Sequence, residues 1–108
     1  PADTLLILCT CPDRSCAENI ANRLVDDGVA ACVSITQSVT SIYRWQGQRT
    51  CDEEILLMIK TSRQRYPQVE SSIRAMHPYE LPEVIAVPVE RGLPGYLRWI
   101  EQCTTTDS

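Results

Sequence analysis

The sequence lacks the patterns that mark most enzymes and nucleic-acid-binding proteins. It has no G-x-S-x-G, no Gly-rich phosphate loop and no H-x-x-x-H pair, the arrangements that expose a nucleophile, cradle a phosphate or chelate zinc. Histidine and lysine each occur once, as His77 and Lys60. The basic residues form no cluster and the net charge is −4, which argues against a nucleic-acid partner and against an anionic membrane surface. The longest apolar run, Ile55 to Ile59, has the length of a strand, whereas a bilayer span takes ~20 residues. No signal peptide is visible, although the chain begins at Pro1 rather than Met, which leaves room for an upstream segment or a cleaved leader. No two cysteines stand in C-x-x-C spacing, and there is no internal repeat or low-complexity stretch.

What remains is the composition of an ordinary globular protein. The 108 residues, 44% hydrophobic and 22% charged, predict one small domain over 1–108 with an ordered core of about 4–103. Six cysteines are present, yet Cys9 and Cys32 lie in apolar strand-like runs and Cys16 in a helical pattern. A chain this rich in aliphatic residues needs no covalent staples. The expectation is reduced, mostly buried thiols and a cytoplasmic location.

Hydrophobic periodicity orders the elements. Leu5 to Thr10, stopped by Pro12, reads as a strand buried on both faces. Ser15-x-x-Glu18 has the spacing of a capping box and opens a helix over Ser15–Asp27, with Ala17, Ile20, Ala21, Leu24 and Val25 on one face. Gly28 is its left-handed stop. Ala31 to Thr61 reads as a long β-hairpin that turns at Gln46-Gly47-Gln48, with a bulge or bend at Thr36-Gln37-Ser38. A second helix spans about Arg63 to Met76 and ends at His77-Pro78, because a residue before proline avoids helical geometry. Val84 to Val87 is a fourth strand, Pro94 to Cys103 a short helix, and Thr104 to Ser108 a frayed tail. The order β-α-β-β-α-β, with right-handed crossovers, predicts an α+β, ferredoxin-like fold: an antiparallel four-stranded sheet with both helices on one face.

The second hairpin arm, Arg49 to Thr61, runs 13 residues without Pro or Gly. Extended, that is ~43 Å of chain, against about 34 Å across for a compact domain of this length. A ribbon that outreaches its own domain while carrying Ile42, Tyr43, Trp45, Ile55, Leu57 and Ile59 calls for a second copy of the chain to cover it.

The chemistry-bearing residues are few. His77 sits in His77-Pro78-Tyr79-Glu80-Leu81-Pro82-Glu83, where two prolines stiffen a loop carrying an imidazole, a phenol and two carboxylates. It reads either as a helix-capping residue or as a ligand. A thiolate with an imidazole suits copper or zinc, and Cys9 and Cys32 are the thiols expected on adjacent strands. Cys9 and Cys11 share a strand face, a weak metal signal. Lys60 is either a solvated cation or a point charge for an anion. Tyr43 and Trp45 share one face, as do Glu54, Met58 and Lys60, to fill an interface or to stack on a ligand. Cys9 as a nucleophile is disfavoured, since desolvation raises a thiol's pKa.

Several segments resemble the CutA divalent-cation tolerance family: Ser41-Ile42-Tyr43-Arg44-Trp45-Gln46-Gly47, Asp52-Glu53-Glu54, Ile59-Lys60-Thr61, His77 to Glu83, and Tyr96-Leu97-Arg98-Trp99-Ile100. The resemblance runs from about Thr4 to Cys103. It implies a homotrimer, cytoplasmic in bacteria, with a role linked to tolerance of copper and other divalent cations. With no enzyme motif in the sequence, the expectation is a non-enzymatic protein that binds divalent cations, copper foremost, and serves the response to metal ions. Family copper ligands fall on Cys9 and His77. Met76 stands where a member can carry a second histidine, and supplies a soft thioether instead. The implied inter-subunit cleft is lined by Tyr43, Trp45, Glu54, Lys60, Tyr79 and Glu83. The architecture also resembles the trimeric PII-type signalling proteins, which gives an alternative: a sensor for a small anionic effector held near Lys60.

Overall fold

The first apolar run forms β1, Thr4–Cys11, in a computed structural model that describes residues 3–105. Then come α1 (Arg14–Asp26), β2 (Cys32–Trp45), β3 (Gln48–Ser62), a single 3-10 turn over 63–65, α2 (Tyr66–Met76), β4 (Ile85–Pro88) and α3 (Pro94–Cys103). The strands form one sheet in the order β2-β3-β1-β4, and every neighbouring pair is antiparallel.

Alternation along the strands assigns each residue to a side of the sheet. Leu5, Ile7 and Cys9 of β1 pair with Thr61, Ile59 and Leu57 of β3, and all six are buried. All but Thr61 join Ala17, Ile20 and Leu24 of α1 and Val69 and Ile73 of α2 in one apolar cluster, so both helices cover the same face. Leu6, Leu8, Leu56, Met58 and Lys60 belong to the other face and are half-buried. There Ile85 and Val87, paired with Leu8 and Leu6, stand 53% and 45% exposed. The sheet therefore has one finished side and one open apolar side.

The hairpin folds as its sequence indicates. Trp45 pairs with Gln48, so the turn is the two residues Gln46 and Gly47, at φ 51 and 79. Both lie in the left-handed region that a tight two-residue hairpin turn requires. The register shifts between Ile35 and Ser38, at the predicted bulge, where the Leu56 amide donates to the Thr36 hydroxyl at 3.1 Å. The molecule measures 45 × 26 × 23 Å, longer than a compact domain of this length.

Three expectations are corrected. The N-cap of α1 is Asp13, whose carboxylate accepts from the Cys16 amide at 2.8 Å. The cap thus lies two residues earlier than the Ser15 capping box implied, and Ser15 lies inside the first turn of the helix. Val25 of that helix is 44% exposed rather than part of the core. Thr104 is not frayed. It is fully buried, and its hydroxyl lies 2.8 Å from the Ile100 carbonyl and 3.0 Å from the Ser62 hydroxyl. Its own carbonyl accepts from Arg65 Nε at 2.9 Å. Residues 106–108 of the expected tail lie outside the described residues.

Removing a buried hydroxyl and leaving its partner unsatisfied costs ~1–3 kcal/mol. Thr104→Val is therefore expected to lower the unfolding midpoint in a denaturant titration, while an unchanged midpoint would show that the end of α3 is not fixed through this residue.

Candidate functional site: a thiol–imidazole cluster and an acidic cleft

Two clusters flank the end of β1. On the helix side, Cys9 and Cys11 project from alternate positions of the strand, and His77 comes from the end of α2. One ligand atom from each lies within 4.8 Å of the others, and all three residues are buried. His77 is held there because Pro78 ends the helix: its backbone is extended, at φ −78 and ψ 136, and its amide caps the Ile73 carbonyl at 2.8 Å. The Tyr79 amide donates to Nδ1 at 3.1 Å. Nδ1 is therefore an acceptor, which leaves Nε2 as the protonated nitrogen, donating to the Thr10 carbonyl at 2.7 Å. His77 thus acts as a structural tie as well as a candidate ligand, with both ring nitrogens engaged.

Cys16, in the first turn of α1, adjoins Cys11. The Cys11 thiol is pushed far above its ordinary range, first by the neighbouring Cys9 thiol and then by burial. Burial and then Cys11 push Cys16 up to about 11. The donor set is soft and borderline, two or three thiols with an imidazole, which fits copper or zinc and not an oxygen-seeking ion such as magnesium. A metal would have to take Nδ1 from the Tyr79 amide, while the Nε2–H···O bond to Thr10 would orient the ring as outer-shell bonds orient metal-bound histidines.

On the open side, a cleft of about 690 Å³ lies between the hairpin and the loop after His77. Tyr43, Trp45 and Tyr79 supply its rings. Its charged lining residues are Asp52, Glu54, Glu80 and Glu83, and no Arg or Lys is among them. Glu54 is 6% exposed and accepts from the Tyr79 hydroxyl at 3.0 Å. Tyr43 donates to Asp52 in the same way. Burial first, then the Glu54 carboxylate, raises Tyr79 well above the ordinary phenol range.

Of the six residues expected at an inter-subunit cleft, Tyr43, Trp45, Glu54, Tyr79 and Glu83 lie together along this cleft of the protomer, and Lys60 lies elsewhere on the protomer. Its ammonium lies 3.0 Å from Ser34 Oγ and 3.7 Å from Cys32 Sγ, six positions along β3 from Glu54 or ~20 Å. The expected anionic effector thus finds four carboxylates and no cation within the protomer. Cys32 is also separated from the thiol cluster. β3 lies between β2 and β1, and Cys32 pairs with Lys60 whereas Cys9 pairs with Leu57, so the two thiols sit on non-adjacent strands and opposite faces. Met76 packs at the edge of the core and lines a shallow hollow with Cys16 and Pro78. All six cysteines are free, but only Cys9 and Cys11 are buried, while Cys51 and Cys103 are exposed. Cys11 and Cys16 were absent from the expected ligand set. The Cys9-x-Cys11 spacing signalled the first, whereas Cys16 becomes adjacent only when α1 packs on the sheet.

Residues 5–103 match the family model described as the CutA1 divalent ion tolerance protein. The chain belongs to the CutA1 family. It is similar to Protein CutA of Mus musculus, 43% identical over 108 residues, all of this chain and 61% of that one. It is also similar to the divalent-cation tolerance protein CutA of Thermus thermophilus, 41% identical over 92% of this chain and 96% of that one. The chain thus spans about three-fifths of the mouse protein and nearly all of the bacterial one. Among solved structures, CutA1 of Shewanella sp. SIB1 superposes with a TM-score of 0.94 at 42% identity, covering 97% of this chain and 98% of that chain. CutA of Xylella fastidiosa gives 0.92 at 45% identity, covering 95% and 99%. No helix among the described residues of this CutA1 chain is long and apolar enough to cross a membrane.

The raised groups set the alkaline behaviour. Cys11, Cys16 and Tyr79 hold their protons more tightly folded than unfolded, so the stability they confer is complete below their unfolded values and is lost as pH rises. For Cys16 the window runs from about 9 to about 11. Thermal melts are expected to be insensitive to this group below pH 9 and to decline above it, with a shallower decline in Cys16→Ser. An identical slope in that variant would remove the thiol from the account.

Proposed function

We propose that this CutA1 protein is a non-enzymatic homotrimer that binds soft metal cations, copper foremost, at Cys9, Cys11 and His77, and through that binding serves tolerance of metal ions. The observation that carries the reading is the convergence of two buried thiols and an imidazole within 4.8 Å. Thiolates select soft metals by chemistry rather than by cavity size. Because ligand thiols must lose their protons, and Cys11 and Cys16 hold theirs tightly, binding would release protons and strengthen with pH. When bound, the metal would supply a positive centre that offsets the thiolate charge in the core.

The trimeric part rests on apolar surface. Ile85 and Val87 continue the open stripe begun by Leu6 and Leu8. Ile42, Tyr43 and Trp45 are 68%, 40% and 45% exposed along the hairpin. The antiparallel order β2-β3-β1-β4 supports the ferredoxin-like description, in which a sheet covered on one face leaves the other for a partner.

Titration with Cu(I) under reducing conditions, followed by calorimetry at pH 7 and pH 8.5, tests the metal site. Cys9→Ser and Cys11→Ser are each expected to weaken binding by at least about tenfold, as is His77→Ala. Binding is expected to be tighter at the higher pH. Undiminished affinity in the three variants would reject the site.

A further inference from the structure

The thiol–imidazole cluster is enclosed. Cys9 and Cys11 have no solvent exposure and His77 is 8% exposed, so an ion bound there needs an entry path. The structure offers one on the helix side of the sheet. Met76 and Pro78, which flank His77 in the chain, line a hollow of about 330 Å³ together with Cys16 and Asn19 of α1. Cys16 and Met76 are both half-buried, and each carries a soft sulfur donor. Cys16 also reaches inward, since its side chain hydrogen-bonds with that of Cys11, and Cys11 belongs to the buried trio. Sulfur donors therefore run from the surface at Met76 and Cys16, through Cys11, to Cys9.

Both outer donors are fixed by helix ends. The Asp13 carboxylate accepts from the Cys16 amide at 2.8 Å, which holds Cys16 in the first turn of α1. Pro78 stops α2 so that Met76 is its last residue. Among the described residues, Asp13 is the one charged member of the lining, so no positive group opposes the approach of a cation. The hollow abuts Ile20 of the core beneath the helices, not the open face that further copies would cover.

We propose that this hollow is a capture site for Cu(I), held by Cys16 and Met76, from which Cys11 draws the ion into the Cys9–Cys11–His77 cluster. The proposal rests on the metal reading above. A thiolate with a thioether suits Cu(I) and not an oxygen-seeking cation. One thiolate and a thioether hold the ion less tightly than two thiolates and an imidazole, so transfer runs inward. Each exchange makes one bond as it breaks another: Cys11 replaces Met76 while Cys16 still holds, and Cys9 and His77 then replace Cys16. Capture releases the Cys16 proton. On transfer, Cys16 recovers a proton from one of the two incoming thiols, and the other proton goes to solvent. Copper enters and remains as Cu(I), so no oxidant or reductant is consumed.

Transfer from the Cu(I)–bicinchoninate complex, followed by stopped-flow absorbance on the purified full chain under reducing conditions, separates capture from final affinity. Protein is varied in the range where the rate rises with its concentration, so that capture and not release from the chelator is timed. Cys16→Ser is expected to slow transfer at least about tenfold. Met76→Leu, which keeps the shape and loses the sulfur, should slow it at least about threefold. Equilibrium affinity for Cu(I) should change little in either. Cys103→Ser, which removes an exposed thiol on α3, should transfer at the parent rate. An unchanged rate in Cys16→Ser overturns the proposal. So does an affinity that falls as far in Cys16→Ser as in Cys9→Ser, because Cys16 would then be a resident ligand. If Cys16→Ser fails to fold, Met76→Leu decides, and the parent rate there counts against the hollow. Undiminished affinity in Cys9→Ser and His77→Ala, with slowed transfer in Cys16→Ser, would reject the buried site and support the hollow as a Cu(I) site in its own right.

Discussion

The period of two along β3 is the constraint on which the rest of the molecule depends. β3 lies between β2 and β1, so its side chains are offered to both faces of the sheet with strand neighbours on either side. Leu57, Ile59 and Thr61 go to the helices and are fully buried. Glu54, Leu56, Met58 and Lys60 go to the other face. Shifting the register by one residue would place a lysine, a methionine and a glutamate under α1 and α2, so the pairing is strongly fixed. The Ile35/Ser38 bulge then resets the phase of β2 against β3. It brings Tyr43 opposite Thr50 and Trp45 opposite Gln48, with both rings on the side of the cleft.

This division also separates two chemistries at the end of one strand. Cys9 and Cys11 face the helices and meet His77, while the Thr10 carbonyl between them receives the imidazole N–H. His77 and Tyr79, with ring centroids 4.7 Å apart, connect the thiol cluster to the acidic cleft: the imidazole belongs to the first and the phenol to the second. Pro78 makes this possible by ending α2 at His77 and turning the next residues across the strand end. The two clusters share a loop without sharing a ligand.

Much of this was legible in the residues. The element order, the turn at Gln46-Gly47, the bulge after Ile35 and the glycine stop at Gly28 each follow from local rules of backbone and alternation. What escaped depended on contacts between distant elements. Ser15-x-x-Glu18 has capping-box spacing, but Asp13, two residues earlier, caps α1, and only the packing of the helix decides between such nearby caps. Cys32 was placed beside Cys9 because both lie in apolar strands, but strand order is a tertiary property, and β3 intervenes. Lys60 shares a face with Glu54 by parity, yet six residues of extended chain keep it out of the same cleft. Thr104 looked like tail because its anchors, Ser62 and Arg65, lie about forty residues earlier.

The central claim is that the open sheet face and the projecting hairpin are covered by further copies of the chain, so that folding and association are one process. Equilibrium sedimentation at micromolar concentration tests it most directly. The prediction is a single species of about three times the 12.2 kDa chain mass, with an unfolding midpoint that rises with protein concentration. A folded, monodisperse species of one chain mass, with a concentration-independent midpoint, would contradict it.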